Sequence, residues 1–577
     1  MRKQTISDAT RRNWKRLNVA ASGRLTGRAN KTRSSKKFLP VECFEHKENR
    51  ARVLKLLAFA ETGGYSITDV LCGVAERLFA AAGILDCARV RRVLAEHPHR
   101  RIAGFSDADI PSDEPDLLGI VYQASLPEGV KNLKGSYYTP RRIASAMVSA
   151  LPFADGETFL DPCCGSGAFL TAAPCEEPER LFGVDSDPVA VMIAKFNLLL
   201  RYPERDFTPQ VVCGDFLRGD LFPGRKFDGI ATNPPWGASV GGDAGIAEIT
   251  SKESFSLFFV RSFSRLRENG TIRFLLPEAV LNVRMHRDLR TFILKNCRLD
   301  SITLHDGVFS GVATGFVDMA CRKAPSAESV RVNRGGSSFD VDISRFERNE
   351  GRLFHILDPV DSEIVDRCMG AGKYTLAKSL WALGVVTGDN KGKLHPVPGP
   401  GLEPVYTGKE IVPYGLKAPE NFISYDRSAF QQTAKEEYYR APEKLVYKFI
   451  SDKLIFSYDD RQRLFLNSAN ILIPRIPGMG IRTVMALLNS ELFTFLYRKL
   501  FGEVKILRGN LAQLPFPEIT PRQDADISAL ADGLMAGRPE NEAPLQREIY
   551  ALFGLSERQI GHVRSVLHGN FPVRRVN

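Results

Sequence analysis

Between about residues 41 and 110 the apolar positions recur every three to four residues. Val53, Leu54, Leu56 and Leu57 form one such set, and Val70, Leu71, Val74 and Leu78 a second. This is the spacing of helices that bury one face, and it predicts a helical N-terminal domain over 41–130. From about residue 158 the pattern changes to short apolar runs that end in polar residues: 158–161, 181–185, 211–215 and 229–233. Each is followed by sequence compatible with a helix, at intervals of about 20 to 30 residues, which predicts βαβ units and a parallel sheet over 131–330. The fold class expected is therefore α/β. In such sheets the ligand lies at the carboxyl ends of the strands, where Asp161, Asp185, Asp215 and Asn233 would converge on one crevice. After about 330 the texture alters, with a Pro/Gly-rich break at Pro396 to Gly401, many Tyr and Lys, and short β-like runs such as Asn470 to Ile473. A mixed α/β domain is expected over 371–520, and a helical segment over 521–577.

Charge changes this picture at one end only. Residues 1–40 hold 12 Lys/Arg and one acid, Asp8, an excess of +11 that equals the net charge of the whole 577-residue chain. The rest is balanced. The leader is expected to be flexible, and three readings stay open: a basic arm lying along nucleic-acid phosphates, an organellar address, or a solvated tail. Residues 371–520 carry 20 Lys/Arg against 14 Asp/Glu in a segment rich in Tyr and Phe, which suits a basic binding face. No run approaches the roughly 18 apolar residues of a membrane span, and the start has no apolar signal core, so an aqueous, intracellular setting is expected. The 10 cysteines include no CxxC pair, which suits neither a disulfide framework nor a zinc site; reduced thiols and no metal are expected.

Phe159 to Leu170 reads as a strand, a glycine turn and a helix start. Gly165 and Gly167 let the backbone approach a ligand, and Asp185, twenty residues beyond Gly165, is placed like the acid that bonds a ribose diol. There is no third glycine for a pyrophosphate, so a nucleoside is implied and a dinucleotide is not. Asn233, Pro234, Pro235 and Trp236 then close the fourth strand. Two prolines fix the backbone and remove two donors. The Asn233 side-chain oxygen and the Pro234 carbonyl can together accept both protons of an exocyclic amine, with the Trp236 ring stacked on the base.

These motifs resemble those of the S-adenosylmethionine-dependent N6-adenine DNA methyltransferases of restriction-modification systems, in the gamma motif order. Gly135 to Pro140 resembles the family's methionine-binding segment, with Tyr138, Thr139 and Pro140 as its contact residues, and it precedes the glycine loop as that order requires. Asp116 to Tyr122 resembles the helix that leads into it. The resemblance implies a Rossmann-like methyltransferase sheet with S-adenosyl-L-methionine as cofactor. It assigns Asp161, Gly165 and Gly167 to the methionine end, Asp185 to the ribose hydroxyls, Asp215 with Phe216 to the cofactor adenine, and Asn233 to Trp236 to the target base. Phe309, within Gly307 to Thr314, resembles the aromatic that holds the flipped base on its other face. The match runs over about 116–325. More loosely, Leu488 to Ser490 and Leu511 to Pro517 resemble a C-terminal target-recognition domain. Trp236 is larger than the usual Tyr or Phe, and Cys163 and Cys164 are unusual in the glycine motif; neither cysteine is assigned to catalysis.

The function so implied is site-specific methylation of N6 of a flipped-out adenine in double-stranded DNA. The partners implied are duplex DNA and a separate restriction endonuclease or defence-system subunits, with no membrane, in a bacterial cytoplasm at the nucleoid. The same clamp serves methyltransferases acting on RNA or on protein glutamine, which is the alternative. A fused nuclease would need a PD…(D/E)xK constellation, and none follows Pro115-Asp116 at workable spacing.

Overall fold

The computed structural model describes residues 44–106, 110–127, 129, 139–152, 156–237, 244–251, 253–305, 315–349, 351–501 and 505–568. The basic leader, Tyr138 and Phe309 lie outside the described residues. The described chain divides into two compact units, one ending at Ile356 and the other beginning at Leu357.

The first unit opens with helices α1 (Asn49–Thr62), α2 (Ile67–Ala81), α3 (Ala88–Ala95) and α4 (Leu117–Ser125). The start of α2 is set by a capping box, in which the Ser66 hydroxyl accepts from the Asp69 N–H while the Asp69 carboxylate takes the Ser66 N–H. Next come α5 (Arg141–Ser149), β1 (Phe159–Asp161), α6 (Ala168–Ala172), β2 (Leu181–Asp185), α7 (Pro188–Arg201), β3 (Gln210–Cys213) and β4 (Phe227–Thr232). The unit continues through α8 (Ser254–Ser264), β5 (Leu266–Pro277), α9 (Arg287–Asn296), β6 (Arg298–His305), β7 (Phe316–Arg322), β8 (Ser329–Arg334) and β9 (Ser337–Asp342).

Nine strands form one sheet in the order β3-β2-β1-β4-β5-β7-β6-β8-β9, with β1 to β5 parallel and β7 antiparallel to both β5 and β6. All four expected strands are present. β1 and β2 read as continuous apolar runs because both faces of the sheet are covered there, whereas the edge strand β3 is only partly buried. Alternate residues go to opposite sides: Phe159 and Leu181 enter one core with Val53, Phe79, Leu118 and Phe196, while Leu160 and Phe182 enter the other with Phe259, Phe274 and Ile293. The helical segment expected as a separate domain over 41–130 therefore shares its core with the sheet. Its apolar faces are the cover that the first sheet face needs.

The second unit begins with α10 (Pro359–Ala371), then β10 (Leu380–Leu383), β11 (Glu403–Tyr406), β12 (Asn421–Ile423), β13 (Lys444–Lys448), β14 (Phe456–Asp459), β15 (Leu464–Phe465) and β16 (Ala469–Ile473). The longer helices that close it are α11 (Ile481–Asn489), α12 (Glu491–Phe501), α13 (Pro521–Met535), α14 (Glu542–Leu552) and α15 (Glu557–His568). A four-stranded antiparallel sheet runs β10-β16-β13-β14, and a three-stranded sheet runs β12-β11-β15. Segments 371–520 and 521–577, expected as separate pieces, fall in this one unit, where Leu487, Phe493, Ile527, Ile549 and Val563 share a core. Lys444 and Asp459 face each other across β13 and β14, both fully buried, and Arg463 takes the second Asp459 oxygen at 2.6 Å. Removing either member of such a pair strands a charge, at a cost of about 3 to 5 kcal/mol.

Candidate functional site

The carboxyl ends of β1, β2, β3 and β4 are brought to one edge of the sheet, as parallel pairing requires. Asp161 ends β1 and is wholly buried. One of its oxygens accepts from the Cys163 N–H at 3.2 Å and the Thr232 hydroxyl at 2.7 Å; the other, Oδ2, is buried without a partner. Burial pushes this carboxyl up to about 7. Thr232 gives its only proton to Asp161, so in the contact between Cys163 Sγ and Thr232 Oγ1, 2.9 Å long, the thiol is the donor. Burial also holds the Cys163 thiol well above its ordinary range, and a protonated donor thiol is no nucleophile.

The glycine turn follows. Gly165 has φ +52° and open space where a side chain would begin, and its N–H donates to Asp185 at 2.9 Å. Gly167, at φ +88°, starts α6; a Cβ there would stand 3.3 Å from Ala194 on α7. Asp185 braces the turn from β2, and its other oxygen accepts from the Asp187 N–H at 2.9 Å. Gly214 donates to the Asp185 carbonyl at 2.9 Å, which sets the end of β3 beside it. Asp215 is exposed there and ion-paired with Arg218, while Phe216 is buried and stacked on Phe258 with ring centroids 5.9 Å apart.

At the end of β4, Asn233 donates its Nδ2 to the Thr139 hydroxyl at 3.1 Å, and its Oδ1 is buried without a partner. The turn is held from behind. The Ser254 hydroxyl at the start of α8 donates to the Pro235 carbonyl, and the Trp236 indole N–H donates to the Leu275 carbonyl of β5 at 3.2 Å. Trp236 is half-buried against both cores of the unit. Thr139 is buried, and Pro140 caps α5 just after it. Thr139, Asp161, Thr232 and Asn233 thus form one contiguous group, and Asp185 with Gly165 forms the neighbouring one.

Sequence reasoning missed a polar girdle behind the glycine turn. Asp116 caps α4; one of its oxygens accepts from the Ser166 hydroxyl at 2.6 Å, and the other accepts from Asn197 Nδ2 at 2.7 Å. Tyr122 adds a second tie, donating to Asp187 at 2.7 Å. The helix-cap spacing from Asp116 to Gly119 was a legible signal, but its partners stand 50 and 81 positions away. In the second unit Asp358, Asp361 and His562 lie close together, and there the Asp361 carboxylate is taken by Lys499 and by His562 at 2.9 Å. This is an ion-paired brace between α10, α12 and α15.

Residues 113–317 match the model of the N-6 DNA methylase family, and residues 403–516 match that of the TaqI-like C-terminal specificity domain. The type II methyltransferase M.VspI of Vibrio sp. (strain 343) is 32% identical over 338 residues, which are 56% of this chain and 81% of that protein. The chain belongs to the N-6 DNA methylase family. Another relative, a type II methyltransferase of Thermus thermophilus, is 25% identical over 59% of this chain and 81% of its own. The fold resembles that of the type IIL restriction-modification enzyme MmeI, solved in complex with DNA, with a TM-score of 0.54 and 13% identity over 83% of both chains.

As a member of this family the chain is a restriction-modification DNA methyltransferase of the adenine-N6 class, with S-adenosylmethionine as methyl donor and DNA as substrate. The residues present fit that donor. A buried carboxylate oxygen without a partner at Asp161 suits an ammonium group, the open Gly165 turn admits a ligand against the backbone, and Asp185 is a carboxylate at the strand end. Among the described residues no helix is long and apolar enough to cross a membrane.

Proposed function

We propose that the chain methylates N6 of an adenine flipped out of double-stranded DNA, at a sequence chosen by its C-terminal unit. The observation that carries this is the buried, unpartnered Oδ1 of Asn233, an acceptor aimed at nothing in the protein. A buried acceptor left unmade costs about 1 to 3 kcal/mol, so a donor from the substrate is the natural way to satisfy it. In this reading Asn233 Oδ1 accepts one amine proton and the Pro234 carbonyl the other. That localises the nitrogen lone pair, and catalysis is then positioning plus electrostatics. Trp236 and Phe309 hold the base on its two faces. S-adenosylmethionine supplies an electrophilic methyl group. Asp161, Gly165 and Gly167, with Tyr138, Thr139 and Pro140, would hold its methionine end, Asp185 its ribose, and Asp215 with Phe216 its adenine. Asp215 would exchange an exposed ion pair with Arg218, which costs little.

The TaqI-like specificity domain supports duplex DNA over RNA or protein glutamine as substrate. A partner endonuclease or other defence subunit and a bacterial cytoplasmic setting at the nucleoid complete the reading. It is tested by single-molecule sequencing of DNA from a methylation-free host that expresses the chain. Modified adenines at one defined motif are expected, and uniformly unmodified DNA contradicts the reading.

A further inference from the structure

The turn that follows β5 stands at the same sheet edge as the Asn233 turn, because β4 and β5 are parallel and paired up to Thr232 and Phe274. A chain of contacts joins the two. The Ser254 hydroxyl holds the Pro235 carbonyl, and the next residue, Phe255, packs its ring on His286 with centroids 5.1 Å apart. His286 is buried, and the residue before it, Met285, is 52% exposed. Arg284 and Arg287 flank it, both exposed and, among the described residues, without an ion-pair partner.

This turn is bolted down from beneath. The wholly buried Arg290 guanidinium donates to the carbonyls of Val280 at 2.6 Å, Val283 at 3.0 Å, Gly351 at 3.0 Å and Arg352 at 2.8 Å. Asp288 accepts from the N–H groups of Thr250 at 2.9 Å and Ser251 at 2.8 Å, and among the described residues it forms no ion pair with either arginine. An exposed methionine on a braced turn, set between two arginines that have no ion-pair partner among the described residues, presents an apolar group flanked by positive charge. It is well suited to a duplex, where the cations meet phosphates and the apolar group enters the base stack.

We infer that Met285 is a wedge that enters the DNA beside the target adenine and holds the opened duplex, with Arg284 and Arg287 gripping the phosphates on either side. The inference rests on the reading of the crevice as a base-flipping adenine site. The wedge occupies stack space only while the adenine is out, so it offsets part of the unstacking cost and favours the flipped state.

The test uses the full chain and two duplexes carrying the motif found by sequencing, one fully paired and one with an abasic site opposite the target adenine. For M285A, kcat/KM on the paired duplex is expected to fall about tenfold, and on the abasic duplex by less than about twofold, since that adenine is already loosened. The fluorescence of 2-aminopurine at the target position should be correspondingly weaker with M285A, while cofactor affinity and melting temperature stay at the parent values. Full activity of M285A on the paired duplex, or an equal loss on both duplexes, would overturn the wedge. No transfer by the unsubstituted chain to either duplex would instead defeat the underlying reading, and the wedge with it.

Discussion

Asn233 and Thr139 are 94 positions apart in the chain and share a hydrogen bond of 3.1 Å, in which the amide Nδ2 donates to the hydroxyl. The bond commits the amide nitrogen to Thr139 and leaves the amide oxygen without a partner in the protein. It joins the segment assigned to the cofactor to the turn assigned to the base.

Replacing Asn233 by Ala should therefore abolish transfer without disturbing the cofactor. On the proposed reading the Oδ1 acts on the amine as charge develops, so the loss is expected in kcat, by at least about a hundredfold, with S-adenosylmethionine affinity within about twofold of the parent. Single-turnover kinetics and calorimetric titration read the two quantities separately; a variant with near-parental turnover sinks the clamp.

Thr139→Val removes the acceptor that orients this amide. A drop in kcat of about tenfold, smaller than that of Asn233→Ala, is expected, and Thr139→Ser should restore the rate because it restores the hydroxyl. If Val and Ser behave alike, the hydrogen bond does not position the amide.

With Asp161 holding the ammonium group of the cofactor, as proposed, binding is expected to depend on pH. Its carboxyl is raised by burial to about 7, and only the ionised form pairs with an ammonium. Affinity for S-adenosylmethionine should thus be about tenfold weaker at pH 6 than at pH 7.5, and Asp161→Asn should bind weakly with that dependence removed. The free protein shows the opposite sign in stability. Between the unfolded value of 3.8 and about 7 the folded state holds a proton that the unfolded state has released, so this group's contribution falls as pH rises through that window. Thermal melts with and without cofactor at the two pH values, on parent and variant, check both signs.

Exchanging residues 357–577 for the corresponding part of a relative with a different recognition site should move the methylated motif and leave the adenine chemistry unchanged. The boundary follows the division between the two compact units. Base edges are read by Arg, Lys, Asn and Gln in the major groove, and the TaqI-like domain lies wholly in the exchanged part. An active chimera that keeps the original motif would place recognition in the first unit.

What the sequence made legible was local. Each of the four strand-forming runs ends in a polar residue, and Asn233 to Trp236 is contiguous, so a shared edge of strand ends and a candidate clamp were legible in the sequence. The Thr139 tie to Asn233 and the Asp116 ties to Ser166 and Asn197 depend on pairings across the sheet, which no local pattern encodes. A separate helical domain is the natural expectation because α1 to α4 carry their own amphipathic period. That period says a face is buried but not against what, and here it is the sheet. The sheet also continues into β8 and β9, which leave most of their residues partly or fully exposed and so form no continuous apolar run.

The central claim is the identity of the methylated atom. The purified chain, incubated with S-adenosylmethionine and a duplex carrying its motif, should yield N6-methyladenine as the new nucleoside when the DNA is digested and analysed by mass spectrometry. Methyl groups found on cytosine, or nucleosides left unmodified at the motif, would contradict the account.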